Sequence, residues 1–455
     1  MISFLEVLER ATTGPMMSAK EYDMKLFIPA VRKVVKKYKI EFDPDNPCPC
    51  DDDLADRVYQ AALELYSEVG TYCTDTERVI RFTKEEIEEA VYECPKVVYF
   101  GEGPDRVEWH GRMPDDNQLP HCHVGSGTNT SEDVALKMVE AYARITRAKT
   151  LSIPSLTTVG NLSGSSGSPM EVLAGINMMR IARDGLRRAG RPGMAIIDLH
   201  PSCTSGVATI AASNPDFGAR KSDGWIVAPQ AELKITYDSL NQVAYFSSWG
   251  ANIGQEAGPI LGGYAGGPEG ATVLTLAYAF HGILVIRATY HLTYPIQMMP
   301  VCSTTPGMIF LISTSSQAFA RNIGAPYYAL GYASAGPATK QYFYEAAAYL
   351  LAIQASGIGI EDVHPNKAVG TNQALPIDSE FTCAFGHGNI GITRKEANSI
   401  IKKLMEKYLS GIKHPPKGRD LYECYDLETM KPDDELCGLY DEVIKELNGY
   451  GINFK

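Results

Sequence analysis

Glu256 is the carboxylate around which the chemistry of this chain can be read. It stands in Gly254–Gly270, GQEAGPILGGYAGGPEG, a stretch with seven glycines. The run before it, Gln242–Trp249 (QVAYFSSW), is aromatic and apolar and reads as a buried strand ending at glycine. Pro268-Glu269-Gly270 then opens an apolar segment to His281 that reads as a helix. Glu256 is therefore expected on a loop where a strand hands over to a helix, the edge at which α/β folds bind ligands. A carboxylate there can neutralise or orient a cation. The competing reading leaves Glu256 solvated at the rim, with the glycines serving backbone geometry alone.

Other polar and aromatic residues fall at the ends of strand-like runs: Asp198 and His200, Tyr237 and Asp238, Trp249, Tyr290 and His291, Tyr332, and Asp362 and His364. Taken singly, each serves equally well as a satisfied wall or core residue. As a set they are rich in aromatic rings, which suits an organic cation held by cation–π contacts with Glu256 as counter-charge. His121-Cys122-His123 suggests other chemistry. On a strand both imidazoles point to one face, as zinc requires, and with His200, His291 and Asp362 the set resembles that of metal-dependent barrel hydrolases. Those enzymes carry the pair at the end of the first strand, whereas here it precedes the Gly125-Ser126-Gly127 exit. The Gly/Ser-rich loops 125–131 and 160–167 lead into helices and can offer amides to an anion, but match neither a Walker A nor a dinucleotide fingerprint. Cys48-Pro49-Cys50 beside Asp51–Asp53 reads as a surface turn.

The elements that must position these residues alternate. Strand-like runs occur at His121–Ser126, Thr150–Pro154, Met194–Asp198, Leu233–Tyr237, Val243–Trp249, Ile283–His291, Tyr327–Tyr332 and Gly357–Val363. Helical signals separate several of them. Ser168-Pro169 with Glu171 has the form of a capping box opening a helix to Ala189, closed by Gly190. Ser131-Glu132-Asp133 opens another to Arg147, and further helices are expected at 306–321, 339–354, 393–409 and 435–447. Eight strands alternating with helices predict an α/β fold, a (β/α)8 TIM-type barrel over residues 116–410 with its site at the strand C-termini. A doubly wound sheet shares the alternation. Residues 1–115, with helical patterns at 30–38, 54–68 and 84–92, read as a mostly helical N-terminal extension or cap. Residues 411–455 read as a C-terminal helical tail packed on the barrel, and 364–391 as a long loop or packing arm.

Composition narrows the function classes. A net charge of −12 over 455 residues argues against nucleic acid and anionic membrane surfaces as partners. The charged start MISFLEVLER does not suit a signal peptide, and no run approaches a membrane span of about 18 apolar residues. Ten cysteines without dense spacing suggest reduced thiols in a cytoplasm.

Collinear motifs extend the reading: YCTDT at 72–76 with Arg78, SEDV at 131–134, Ser168-Pro169 with EVLA at 171–174, GRPGM at 190–194, ELKI at 232–235, GGYAGG at 262–267, His291-Leu292, Tyr327-Tyr328, AGP at 335–337 and ECYD at 423–426. In these the chain resembles the monomethylamine:corrinoid protein methyltransferases, a (β/α)8-barrel family whose members move a methyl group from an amine to a Co(I) corrinoid carried by a separate protein and assemble as homo-oligomers, hexamers among them. The family's pyrrolysine, whose imine captures the amine's lone pair, lies a few residues past GRPGM, where this chain has Ile197. An active-site carboxylate ahead of ELKI is replaced by an apolar residue near Trp225-Ile226, and a glutamine before the Tyr-Tyr pair by Pro326, while the glutamate ahead of GGYAGG is kept as Glu256.

The resemblance implies a pyrrolysine-free methyltransferase. A quaternary ammonium has no lone pair to capture, so a quaternary or other N-methylated amine is the expected donor. Glu256 and His291 are the expected catalytic residues, with Asp198, His200, Tyr237, Trp249, Tyr290 and Tyr332 around the donor. The corrinoid is expected from a partner protein, with no tightly bound cofactor and no metal beyond the option at His121 and His123. Two alternatives stay open: a metal-dependent hydrolase or metal-activated O- or S-methyl transferase, and a barrel that binds an amine or corrinoid protein without turnover.

Overall fold

The computed structural model describes residues 2–455 apart from Ser126, Thr157, Asp198–Cys203 and Asn366–Val369. Eight parallel strands organise it, each followed by a helix: β1 His123–Val124, β2 Thr150–Leu151, β3 Ala195–Ile196, β4 Gly224–Val227, β5 Asn252–Ala257, β6 Tyr290–Thr293, β7 Tyr327–Tyr332 and β8 Gly359–His364. The helices are α1 Glu132–Ala143, α2 Pro169–Arg188, α3 Gly206–Ala212, α4 Tyr237–Trp249, α5 Pro268–His281, α6 Pro306–Asn322, α7 Lys340–Ala355 and α8 Pro376–Gly388. The strands pair as two parallel ladders, β1-β2-β3 and β4-β5-β6-β7-β8. Parallel bridges join Ile197 to Gly224 and Cys122 to Ile360, so the pairing returns from β8 to β1.

Two strands differ from the sequence expectation. Val243–Trp249 lies in α4, because the helix's apolar residues Leu240, Val243 and Phe246 recur at helical spacing and are buried on one face. Lys234–Ile235 is extended but pairs with Thr71–Cys73 of the N-terminal segment, outside the ring of strands. Gly224–Val227 and Asn252–Ala257 take the fourth and fifth places instead. The sixth strand starts late, since Gly282–Ile286 continues α5 as a π-helical turn. The segment after β8 contains α8, a helix the glycine-rich sequence concealed.

Helix signals held where caps were explicit. Ser168 caps α2 by accepting from the Glu171 amide at 3.3 Å. Glu171 does not complete the expected box; its carboxylate takes the Thr204 amide at 2.5 Å and the Ser205 hydroxyl at 2.6 Å, tying α2 to the start of α3. Helix α5 is buried at every position from Gly270 to His281. With its π-helical continuation, Pro268–Ile286, it is long and apolar enough to cross a membrane, which corrects the expectation from the sequence. Of its apolar window, 94% is buried inside the protein, so the core accounts for that composition.

The N-terminal segment closes one end of the ring. A hairpin of Val97–Phe100 and Val107–His110 places Phe100 edge-on to Tyr290 at 5.2 Å, Trp109 against Tyr328 at 5.3 Å, and Trp109 stacked on His121 at 4.2 Å. Tyr290 and Tyr328 belong to the first residues of β6 and β7, so the hairpin covers the N-terminal ends of the strands. Outside the helical layer, Asp52–Val69 packs Tyr59 and Tyr66 on Phe280 of α5, and the C-terminal residues Tyr440 and Phe454 pack on Phe343 and Phe381.

Candidate active site

Alternation along the strands sends every second side chain into the ring. On β5 these are Gly254 and Glu256, with Gly258 next; on β6 they are Tyr290 and Leu292, with Tyr294 next. The register pairs Gly254 with Tyr290 and Glu256 with Leu292. The two glycines are seats for the two tyrosines. A Cβ on Gly254 would lie 2.4 Å from Tyr290 Cζ, and one on Gly258 would lie 2.3 Å from Tyr294 Cε2. Half-buried Glu256 is thus bracketed along its strand by Tyr290 on the hairpin side and Tyr294 on the open side. A Cβ on Gly224 would meet the Tyr290 hydroxyl at 2.4 Å and Ile197 Cγ1 at 2.9 Å, so Tyr290 reaches across β5 and β4 to Ile197.

Aromatic rings continue round the open end. Tyr294 meets Tyr332 edge-on at 6.4 Å, and Tyr332 meets His364 edge-on at 5.6 Å. A bulge in β8, where the register shifts between Ala329 and Gly331, fits one extra residue into that strand. It lets Glu361 and His364 both face inward while Asp362 turns out. His123 bonds Thr150 Oγ1 through Nδ1 at 2.7 Å and Ser152 Oγ through Nε2 at 2.8 Å, and lies 3.9 Å from Glu361 Oε1. Burial pushes both His123 and His364 down to about 3, so the interior imidazoles are neutral.

The structure sorts the expected site residues. Glu256 is on β5 itself rather than on the following loop. Tyr290, Tyr332 and Ile197 face the interior, Tyr290 and Ile197 toward the hairpin and Tyr332 toward the open end. Tyr237 and Trp249 are the first and last residues of α4, so their placement at strand ends is corrected. His291, adjacent to inward-facing Tyr290 and Leu292, faces outward. There it bonds Gln255 Oε1 at 3.2 Å and meets Phe319 of α6 edge-on at 5.3 Å. Asp198 and His200 fall outside the described residues.

The proposed zinc set does not converge. His121 and His123 share the Thr150 hydroxyl, and His121 is stacked under Trp109. Asp362 points to the helical layer, where it accepts from the Ser379 hydroxyl and from the Gly125 amide at 3.3 Å. Burial pushes that carboxyl up to about 7. Among the described residues no three His, Cys, Asp or Glu are grouped to hold a metal ion.

Sequence reasoning missed Tyr294 and Glu361. The signal for Tyr294 was the period-two pattern Tyr290-x-Leu292-x-Tyr294 facing Gly254-x-Glu256-x-Gly258; Glu361 carries no local signal, because its face is set only by the pairing of Gly359 with inward-facing Tyr328. Also missed was Glu345 of α7. Fully buried, it accepts from Thr304 Oγ1 at 2.6 Å, Ser334 N and Oγ at 2.8 Å, and Ala335 N at 3.2 Å. It fixes the loops after β6 and β7 that flank Tyr332.

A family model described as monomethylamine methyltransferase MtmB matches residues 2–452. Monomethylamine methyltransferase MtmB2 of Methanosarcina barkeri is 29% identical over 452 residues, covering 98% of this chain and 97% of the relative. MtmB of Methanosarcina mazei is 28% identical over the same length. The crystal structure of the M. barkeri enzyme superposes with a TM-score of 0.94 at 28% identity, covering 99% of this chain and 98% of that one; a solved hydroxylamine complex of MtmB matches equally well. Matched almost end to end in sequence and in fold, the chain belongs to the monomethylamine methyltransferase MtmB family and is a methyltransferase.

Proposed function

We propose that this enzyme takes a methyl group from a quaternary ammonium donor and passes it to the Co(I) corrinoid of a separate carrier protein, working at the C-terminal ends of a (β/α)8 barrel. The bridge from Ile197 to Gly224, which joins β3 to β4, and the bridge from Cys122 to Ile360, which returns the pairing from β8 to β1, support the barrel reading. Glu256, bracketed by Tyr290 and Tyr294, carries the assignment of the donor. A quaternary ammonium neither gives nor takes a hydrogen bond, so one carboxylate and aromatic faces are the groups suited to hold it.

The chemistry asks little of an acid or base. The Co(I) electron pair attacks the methyl carbon, the C–N bond breaks with its electrons going to nitrogen, and a neutral tertiary amine departs without needing a proton. Neutral His123 and His364 are consistent with that requirement. The chain's own part is to hold one methyl toward the open mouth, so orientation supplies most of the rate. The apolar side chain of Ile197 beside Tyr290, at the position expected for pyrrolysine, fits a donor with no lone pair to capture.

The relatives are named for monomethylamine, which makes the primary amine the second candidate donor. Purified enzyme mixed with a Co(I) corrinoid protein, or with free cobalamin, is offered one donor at a time. Tetramethylammonium should generate the methyl-Co(III) spectrum, and Glu256→Gln should abolish it. A response to monomethylamine alone would remove the quaternary assignment, and silence with every amine would remove the function. The same proposal carries a cytoplasmic location, a homo-oligomeric assembly, a helical extension over 1–115 and a tail over 411–455.

A further inference from the structure

His364 is 3% exposed, and both ring nitrogens are buried with no hydrogen-bond partner among the described residues. Buried polar groups are nearly always paired, so each exception needs a reason. Its position supplies one. The register sets His364 beside Tyr332 at the C-terminal end of the strands, within electrostatic reach of His123, on the strand that also carries Glu361. His281 is likewise buried and unpartnered, but it sits against Tyr278 in the helical layer, away from the interior.

A neutral imidazole presents one N–H and one bare nitrogen. The two nitrogens point apart, so one ligand group reaches only one of them, and a group able either to donate or to accept suits whichever nitrogen it meets. A carboxylate on the donor would meet the like charge of Glu256 and Glu361, and an ammonium can donate but not accept. A hydroxyl can do either. We propose that His364 is a specificity-determining residue and that the methyl donor is an N-methylated amino alcohol, its quaternary head at Glu256 and Tyr294 and its short hydroxyalkyl arm at His364. This rests on the quaternary-ammonium reading of the site.

Calorimetric titration of the full chain with three probes tests it: (2-hydroxyethyl)trimethylammonium, n-propyltrimethylammonium, which replaces the hydroxyl by a methyl of similar size, and tetramethylammonium. The hydroxyethyl probe should bind about tenfold more tightly than the propyl probe, as a hydrogen bond to a buried group implies. In His364→Leu the ratio should fall to about one, and His364→Gln should restore part of it. Equal binding of the two probes by the unaltered chain overturns the inference while leaving the cation site intact, as does a tenfold ratio that survives in a folded His364→Leu. If that variant does not fold, the unaltered chain and His364→Gln decide. Failure of all three probes to bind removes the cation site, and the inference with it.

Discussion

Adding one carbon at Gly254 or at Gly258 should have opposite consequences, although the two intended clashes are nearly equal. A Cβ at 254 falls 2.4 Å from Tyr290 Cζ, 2.5 Å from Cε2 and 2.6 Å from the hydroxyl. Carbon atoms settle at about 3.5–4.0 Å, so the ring must retreat by more than about 1 Å. It has nowhere to go: Tyr290 is 0% exposed, with Phe100 at 5.2 Å, Trp109 at 6.0 Å and Gly224 under its hydroxyl. Overpacking of this kind costs about 1–3 kcal/mol, and the confinement on every side places Gly254→Ala near the upper value. A Cβ at 258 meets Tyr294 at 2.3 Å, but Tyr294 is only half-buried and at the open end, so it can swing outward. Gly258→Ala should therefore leave stability within about 0.5 kcal/mol, the usual range for a change with room to relax, and weaken binding of tetramethylammonium. Denaturant unfolding gives the first quantity from the midpoint and slope, and calorimetry gives the second. A neutral Gly254→Ala would refute the seat described for Tyr290. Unchanged affinity in Gly258→Ala would remove Tyr294 from the site.

Glu345→Ala should destabilise by about 3–5 kcal/mol, because Thr304, Ser334 and Ala335 lose a shared buried acceptor; a loss below about 1 kcal/mol in denaturant unfolding would mean that Glu345 does not hold the two loops. Stability should fall on acidification from pH 7 to 5. Burial depresses His121, His123, His281, His291 and His364 below their unfolded values, so the unfolded chain takes up protons in that window that the folded chain refuses. Asp362 and Asp378, raised by burial, act in the opposite sense, binding protons in the folded chain that the unfolded one has released. Asp223, Glu232 and Glu380 are raised by burial as well, but the five imidazoles, fully charged in the unfolded chain near pH 5 and neutral in the folded one, set the direction; a flat or rising stability over that range would contradict the neutral interior. His121→Phe should keep the stack on Trp109 but orphan nothing beyond a shared Thr150 hydroxyl, so a loss of about 1–3 kcal/mol is expected from unfolding curves, as for a small-to-large change in a packed core; a larger loss would mean that His121 holds more than that hydroxyl.

Local chemistry was legible where one residue decides a local structure. Ser168, Pro169 and the glycine after Ala189 marked α2 to within a residue, and Pro268 to His281 was the helix its apolar run suggested. Collinear motifs identified the family, because their order survives divergence even where the pocket between them changes. Strand identity was harder. β1, β2 and β3 are two residues long, too short for period two to stand out, and QVAYFSSW is equally apolar at the spacing of a strand or a helix until its partners are known. Gly254-x-Glu256-x-Gly258 did carry the period of a strand, but glycines on the inward face looked like a loop because nothing in the sequence says that two tyrosines lie across them. Sequence alone could single out Glu256 as a candidate, since a carboxylate in a glycine-rich stretch is a local feature. Only the closing of the strands decided the rest. A side chain's face depends on its neighbour's register, so tertiary pairing turned Tyr290 in and His291 out, and Glu361 in and Asp362 out, and one extra residue in β8 then brought His364 inward beside Tyr332.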